Sequence, residues 1–532
     1  MKKNKIITII LIILIILQIA YKVYVDSKKE DFFIDELYSY GLMNYQKAYL
    51  FDEETFMQNW HNKEYFDEYL IISENEKNDW SSVYNNQAED YHPPLYYCLL
   101  RIAASFTIGS FTKWTGLILN LFIFICAAIV VYLIGRKLFK SKIYALILVF
   151  VYGFSRFSTE DTLFIRMYQL LELNTLLLAY WAVKNYYNKN LKIKNMISLA
   201  TIVILGTLTQ YYFIFFYLGI CITEIIRYIR KKQIKNLFKF VLVFIVSEVA
   251  VYLIWNPYIE QLTRGSGRNV KAGDLLADKI TLFWSRQKEY FSILNDNMFN
   301  VKISYVFIFV IVLGIIALAI KLIKNKNQKV RFNKRINMII IPTLIYWYIV
   351  TKTSQFIALR YILPTFVFIM IILMYVLRKE ISTIVKNKKY TVIILSIISL
   401  IFVTFPNKKE LKYQYPESKQ KIENIKQYKD VPCIYMYTAK SVLENRFTLN
   451  LNYVREFNNV YIMNAMLFTT QELEKVLKDV DTSNGIIIFD NTVKIKKKVD
   501  KIVNELDEFS NYKKIESMTT DRAYADDIYL VY

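Results

Sequence analysis

Apolar residues in this chain come in long, nearly uninterrupted runs, and that feature constrains the fold more than any other. A run of about 18 or more largely apolar residues can cross the roughly 30 Å hydrocarbon core of a bilayer as one helix. Runs of this kind, rather than residues at amphipathic spacing, mark membrane spans and exclude a single soluble core. The first extends from Ile6 to about Val25. Others lie near 95–110, 113–134, 142–157, 168–183, 196–209, 211–226, 237–255, 302–323, 336–350, 357–377 and 390–405. These twelve candidates, corrected for segments that are re-entrant or fused, predict an α-helical polytopic membrane protein with about 11–13 spans; a cytoplasmic N-terminus with an external C-terminal segment requires an odd number, eleven or thirteen.

The formal charge of +22 raises nucleic acid as a partner, but its distribution excludes that reading. Basic residues cluster in short loops between apolar runs: Arg136 to Lys142, Arg227 to Lys235, Lys321 to Arg335 and Arg378 to Lys389. Such loops face the cytoplasm and anionic lipid. By contrast, Asp26 to His92 carries sixteen Asp or Glu against five Lys, a net of −11 that leaves +33 for the rest. With a basic stretch before the first span, this acidic insert is placed outside. The first span reads as an uncleaved anchor with a cytoplasmic N-terminus, since no small-residue cleavage site follows it. Both histidines, His61 and His92, fall in the insert. The cysteines Cys98, Cys126, Cys221 and Cys433 show no metal-ligand spacing and read as small buried hydrophobes.

After Pro406 the texture becomes polar, with short strand-like and helix-like segments in alternation. Strands are predicted at Cys433–Tyr437, Val460–Met463, Gly485–Phe489 and Asp527–Tyr532, and helices at Thr470–Val480 and Lys494–Leu506. The pattern indicates a small α/β domain over 406–532, placed outside because the basic loop at Arg378 to Lys389 precedes one last span. The boundaries are thus 1–405 for the membrane domain, including the external loop 26–92, and 406–532 for the extracellular domain. No glycine-rich phosphate loop is present in the latter.

Three constellations could carry chemistry. Asp35 and Glu36 form an adjacent carboxylate pair just beyond the first span. They are either ordinary exposed acids of an acidic loop or a general base at the water interface with its partner. His92 stands before Pro93-Pro94-Leu95-Tyr96-Tyr97, where two prolines open an apolar helix. Its ring is either a cap or a donor to a phosphate oxygen at the helix N-terminus. The third is Glu160-Asp161-Thr162-Leu163-Phe164-Ile165-Arg166-Met167-Tyr168 between two runs. An arginine entering a span is costly without an anion, so Arg166 is a functional candidate, as is Arg360 in Leu359-Arg360-Tyr361-Ile362-Leu363-Pro364 unless it snorkels.

In series, an Asp-Glu pair in the first external loop, His-Pro-Pro-Leu-Tyr-Tyr, Arg-Met-Tyr after an acidic turn and a late Arg-Tyr-x-x-Pro resemble the bacterial branch of the dolichyl-phosphate-mannose protein mannosyltransferase superfamily, which includes the aminoarabinose transferase of lipid A. The resemblance covers roughly residues 1–405. It implies a GT-C fold, a polyprenyl-phosphate sugar donor and inverting transfer of a hexosyl-type group at the external membrane face. It makes Asp35 the catalytic carboxylate, acting as general base, and Glu36 its partner, puts His92 near the donor phosphate, and offers Glu160 or Asp161 as a second acidic residue. Arg166 and Arg360 would add cations for the phosphate.

The acceptor, whether a protein, a cell-wall polymer or a glycolipid, is not named by the sequence. A divalent cation at Asp35 and Glu36 stays open. The main alternative is a flippase or transporter of a polyprenyl-linked sugar without transferase activity; the large acidic insert and the external C-terminal domain are not needed by a transporter. A non-catalytic surface-binding protein is a further rival, opposed by the ordered motifs. The 407–532 segment is expected to orient the acceptor without supplying catalytic groups.

Overall fold

The computed structural model describes residues 2–77, 79–264, 280–324, 333–439, 441–490, 495–519 and 525–532. Most of the basic loop at Lys321–Arg335 and Lys494, the first residue of one expected helix, lie outside the described residues. Contacts divide the chain into two compact units that interleave in sequence. One comprises Met1–Ser27, Tyr91–Tyr96 and Leu117–Leu411, and the other Lys28–Asp90, Tyr97–Gly116 and Lys412–Tyr532. The acidic insert therefore packs with the C-terminal segment rather than with the spans that flank it in sequence.

The first unit is helical and membrane-spanning. Among the described residues six helices are long and apolar enough to cross a bilayer: Lys5–Ser27, Lys113–Phe139, Ile234–Ile254, Lys334–Thr353, Leu359–Val385 and Lys388–Lys408. The bent pair Lys142–Phe154 and Arg156–Leu163 makes a seventh if it is one broken span. Several expected runs fold as helices that fall short on length or charge. Ile193–Thr209 has 17 residues, and Phe213–Arg230 carries Glu224, Arg227 and Arg230. Glu224 and Arg227 pair with each other and Arg227 also donates to the Tyr186 carbonyl (3.1 Å), which satisfies charge within the helical body.

Where lipid supplies no hydrophobic driving force between helices, close backbone approach holds them together. Gly219 lies against Pro342 of the Asn337–Thr353 helix, and Gly153 against Gln18 of the first helix, so closely that a Cβ at either position would overlap its neighbour. Gln18 adds a hydrogen bond from Nε2 to the Val149 carbonyl, 2.9 Å.

The second unit is built on a six-stranded sheet of order β1-β3-β2-β4-β6-β5, with β1 Trp60–Asn62, β2 Cys433–Tyr437, β3 Asn459–Asn464, β4 Ile486–Asp490, β5 Tyr512–Thr519 and β6 Ala525–Val531. The central strands β3, β2 and β4 run parallel, and both flanks are antiparallel. β2 and β4 are buried throughout, as parallel strands covered on both faces must be. One face buries Ile434, Met436, Ile486 and Ile488 against Leu473 and Leu477 of the Thr470–Leu477 helix and Val499 and Ile502 of the Ile495–Glu505 helix. On the other, Phe447 of the Ser441–Val454 helix meets Tyr435, Tyr437 and Phe56 edge to face.

The insert supplies β1, which pairs with β3 through His61 and Val460. His61 is fixed there, its Nε2 3.0 Å from the Phe56 carbonyl and its ring stacked on Tyr65 at 3.9 Å. The Ile34–Asn44 helix is held by amide side chains: Asn44 Nδ2 donates to the Glu68 carbonyl (2.9 Å) and Asn86 Nδ2 to the Leu42 carbonyl (3.2 Å). Buried Arg101 joins them by donating to the Met43 carbonyl at 2.7 Å.

Candidate active site

Asp35 and Glu36 occupy the first turn of the Ile34–Asn44 helix in the second unit. The first turn of a helix leaves amide donors without intrahelical partners. Glu36 turns back to accept from the Phe33 amide at 2.6 Å, closing that end. The same oxygen takes Lys29 Nζ at 2.9 Å in a pair with no exposure on either side, and Lys29 also donates to the Tyr413 carbonyl at 2.6 Å. Glu36 is thus neutralised and immobilised, whereas Asp35 beside it is only part-buried. The divalent cation left open above finds one of its two carboxylates already engaged, and among the described residues no group of three or more His, Cys, Asp or Glu could hold a metal ion. One turn further on, Tyr38 donates to Asn445 Oδ1 at 2.9 Å and anchors this helix to the C-terminal segment.

The remaining sequence-derived candidates belong to the first unit. Arg166 Nη2 lies 3.5 Å from His92 Nε2, so two residues far apart in sequence come together. Arg166 is 5% exposed. Asn120 holds this loop: its Nδ2 donates to the Thr162 and Phe164 carbonyls at 3.1 and 2.9 Å while its Oδ1 accepts from Tyr96, four residues after His92, at 3.2 Å. Arg360 opens the Leu359–Val385 helix with its guanidinium 5.0 Å above the Tyr361 ring. Tyr361 in turn meets Tyr168 and Tyr212 edge to face, which brings the Arg360 segment to the Arg166 segment.

The acidic turn separates into two roles. Glu160 pairs with Arg156 at 2.9 Å, and Arg156 also donates to the Lys409 carbonyl at 2.6 Å, an arrangement that ties the Arg156–Leu163 helix to the end of the last span. Asp161 is fully buried, and neither carboxylate oxygen has a hydrogen-bond partner among the described residues. Its electrostatic neighbours are Lys22 and Glu172.

Sequence reasoning missed this cluster. Lys22, fully buried in the first helix, donates to Ser158 Oγ (3.2 Å), Thr162 Oγ1 (3.4 Å) and Thr159 Oγ1 (3.5 Å). Glu172 accepts from Tyr152 at 2.5 Å and Gln169 at 3.4 Å. The available signal was Lys22 itself, a charge inside an apolar run. Arg286 was also missed; it donates to the Thr351 carbonyl at 2.9 Å and to Ser354 Oγ at 2.7 Å, below the turn that leads into Arg360.

No protein-family model and no curated protein matches the chain. Solved structures do. ArnT from Cupriavidus metallidurans in the apo state aligns over 97% of each chain with 9% identity and a TM-score of 0.51. The same protein bound to undecaprenyl phosphate aligns over 97% of each chain with 10% identity and a TM-score of 0.49. At such identity the likeness speaks to architecture alone: the chain is a multi-pass membrane protein with the GT-C fold of the aminoarabinose transferase ArnT.

Proposed function

We propose that the chain is a membrane glycosyltransferase that moves a sugar of the hexosyl class from a polyprenyl-phosphate carrier to an extracytoplasmic acceptor with inversion. The observation that carries the reading is the part-buried pairing of His92 with Arg166, with Arg360 reached through Tyr168 and Tyr361 in the same unit. Cationic and neutral N–H donors gathered in a low-dielectric body suit a lipid phosphate leaving group, whose developing charge they stabilise without reorganising. An apolar cavity of about 460 Å3 in the same unit, lined by residues such as Phe291, Val306, Leu344 and Trp347, is of a chemistry that takes an isoprenoid chain. The fold shared with a transferase adds to this support.

In the proposed step an acceptor hydroxyl or amine attacks the anomeric carbon from the face opposite the phosphate. The bond from that carbon to the phosphate oxygen breaks, polyprenyl phosphate leaves with the electron pair, and the acceptor proton passes to the Asp35 carboxylate. Glu36, held by Lys29, positions the turn rather than taking the proton. Basic loops between the apolar runs support a topology with the N-terminus in the cytoplasm and the second unit outside the plasma membrane.

The test incubates the purified chain in vesicles with a radiolabelled lipid-linked sugar and a cell-envelope extract. Label leaving the lipid for an acceptor supports transfer. Label that crosses the bilayer while staying on the lipid would overturn it in favour of a flippase.

A further inference from the structure

The second unit contains a cavity of about 260 Å3 that no step above uses. It is somewhat smaller than the roughly 300–1,000 Å3 of sites for drug-sized ligands, a size suited to a single sugar ring. Its lining joins cations, amides and rings, namely Lys412, Lys421, Asn445, Asn450, Tyr415 and Phe33.

Charge in the lining is unbalanced toward positive. Arg446 is paired with Asp526, and Asp31 is absorbed by Asn452 Nδ2 (2.9 Å) and Tyr453, whose hydroxyl oxygen also lies 3.0 Å from Ser418 Oγ. Burial moreover pushes the Asp31 carboxyl above the ordinary range, which disfavours its negative form. Lys412 and Lys421 add two further cations to the lining, beside the carboxylate of Glu417.

Asn450 supplies the second, independent observation. It is 1% exposed, and its Nδ2 donates to Asp526 Oδ2 at 2.7 Å and to the Tyr435 hydroxyl at 3.1 Å. Its Oδ1 has no hydrogen-bond partner among the described residues. A buried carbonyl oxygen left in that state has lost its water without replacement, so a hydroxyl donor arriving in the cavity would be bound with that gain. Cations for an acid group, an acceptor for a hydroxyl and rings for the apolar face of a pyranose together describe one ligand chemistry. Ile34, which also lines the cavity, immediately precedes Asp35.

We infer that this cavity is the acceptor subsite and holds one acidic sugar residue of the acceptor, with Lys412 and Lys421 on its acid group and Asn450 accepting from a ring hydroxyl. The inference rests on the transferase reading above for its role, although binding is testable without it. Donor phosphate has its own cations in the first unit, so the acid group recognised here belongs to the acceptor.

The experiment titrates the full chain in lipid nanodiscs with glucuronate, glucose and inorganic phosphate, following binding by ligand-observed NMR and folding by thermal melting. Glucuronate is expected to saturate one site and to bind at least tenfold more tightly than glucose. Lys421→Glu and, independently, the exposed Lys412→Glu should each weaken it at least tenfold. Equal binding of glucose and glucuronate, competition by phosphate as strong as by glucuronate, or two folded lysine variants that bind normally would each overturn the subsite. Asp35→Asn should bind glucuronate as the parent chain does; if that variant also kept full transfer, the transferase mechanism would fail while the subsite stood.

Discussion

Lys29 and Glu36 form an ion pair 2.9 Å long with neither side chain exposed, directly behind the part-buried carboxylate of Asp35. Breaking a buried pair by removing one partner typically costs about 3–5 kcal/mol, because the other charge stays buried and uncompensated. Glu36→Gln should therefore lower the melting temperature, and with it activity through loss of folded protein. Asp35→Asn should leave melting unchanged and reduce transfer below about a tenth of the parent rate, since it removes basicity and almost no volume. Kinetics beside calorimetry on both variants separate the roles; retained transfer in Asp35→Asn sinks the general base.

His92→Ala and Arg166→Ala should each slow transfer by on the order of 10² to 10³, the usual loss on removing one stabiliser of developing charge. Varying donor and acceptor in turn locates the defect. The expected effect falls on use of the lipid-phosphate sugar, and an effect confined to the acceptor would reverse the assignment.

Lys22 should behave as a structural charge. Lys22→Met leaves Asp161 and Glu172 buried beside one another with no cation between them, and a loss of about 3–5 kcal/mol is expected. Pairing it with Asp161→Asn should recover much of that loss, a non-additivity that a double-mutant cycle of unfolding measurements reads directly. Additive losses would show that the two residues do not interact.

The second unit should lose stability toward both ends of the pH scale. Burial raises the Asp31 carboxyl, against hydrogen bonds from Tyr453, the Phe32 amide, Asn452 and Ser418. A raised carboxyl binds its proton more tightly when folded, so its contribution is full below the ordinary value of about 3.9 and is lost as pH rises through the folded value. Burial lowers His61, against hydrogen bonds made by the ring to the backbone at Phe56 and Thr55. There the unfolded chain takes up the proton first, so stability is lost as pH falls below about 6.5. Melting curves from pH 4 to 8 should flatten on the alkaline side in Asp31→Asn and on the acid side in His61→Gln.

An impermeant maleimide should label Asn484→Cys on intact cells, as the topology proposed from the basic loops requires. Protection of that cysteine until the cells are opened would invert the topology. Truncation at residue 411 is a harsher test than sequence order suggests. It removes the strand that pairs with β1 and the Asn445 anchor of the Tyr38 helix, so the expected outcome is loss of all donor turnover, not only of acceptor use.

Much of this architecture was legible in the sequence. Apolar runs gave the membrane body, and β2, β3, β4 and β6 lie within a residue or two of their expected ranges because buried strands are continuous Ile-, Val- and Tyr-rich stretches. β5 was not legible, since Lys513, Lys514 and Glu516 make it a polar edge strand. Three residues at Trp60–Asn62 are too short to announce a strand at all. Among the candidates, the motif series pointed to His92 and Arg166, which do meet. It could not separate Glu160 from Asp161, because that distinction depends on Arg156 and Lys22, and the helix bearing Lys22 lies far back in the chain. Interleaving of the insert with the last segment was hidden for the same reason: period and composition report only on near neighbours.

That interleaving has a consequence for biogenesis. Asp31 and Asn452 are 421 positions apart and hydrogen-bonded, and β1 must wait for β3 before it has an edge to join. A ribosome delivers the Asp35 helix early, but its supporting sheet only after every span has been inserted. Contacts of such long range close slowly and last. During synthesis the nascent chain therefore passes through a period in which its membrane body is in place while the turn that carries Asp35 lacks its scaffold. Any chain cut short before its final strands would be anchored in the bilayer with the Asp35 turn left unsupported.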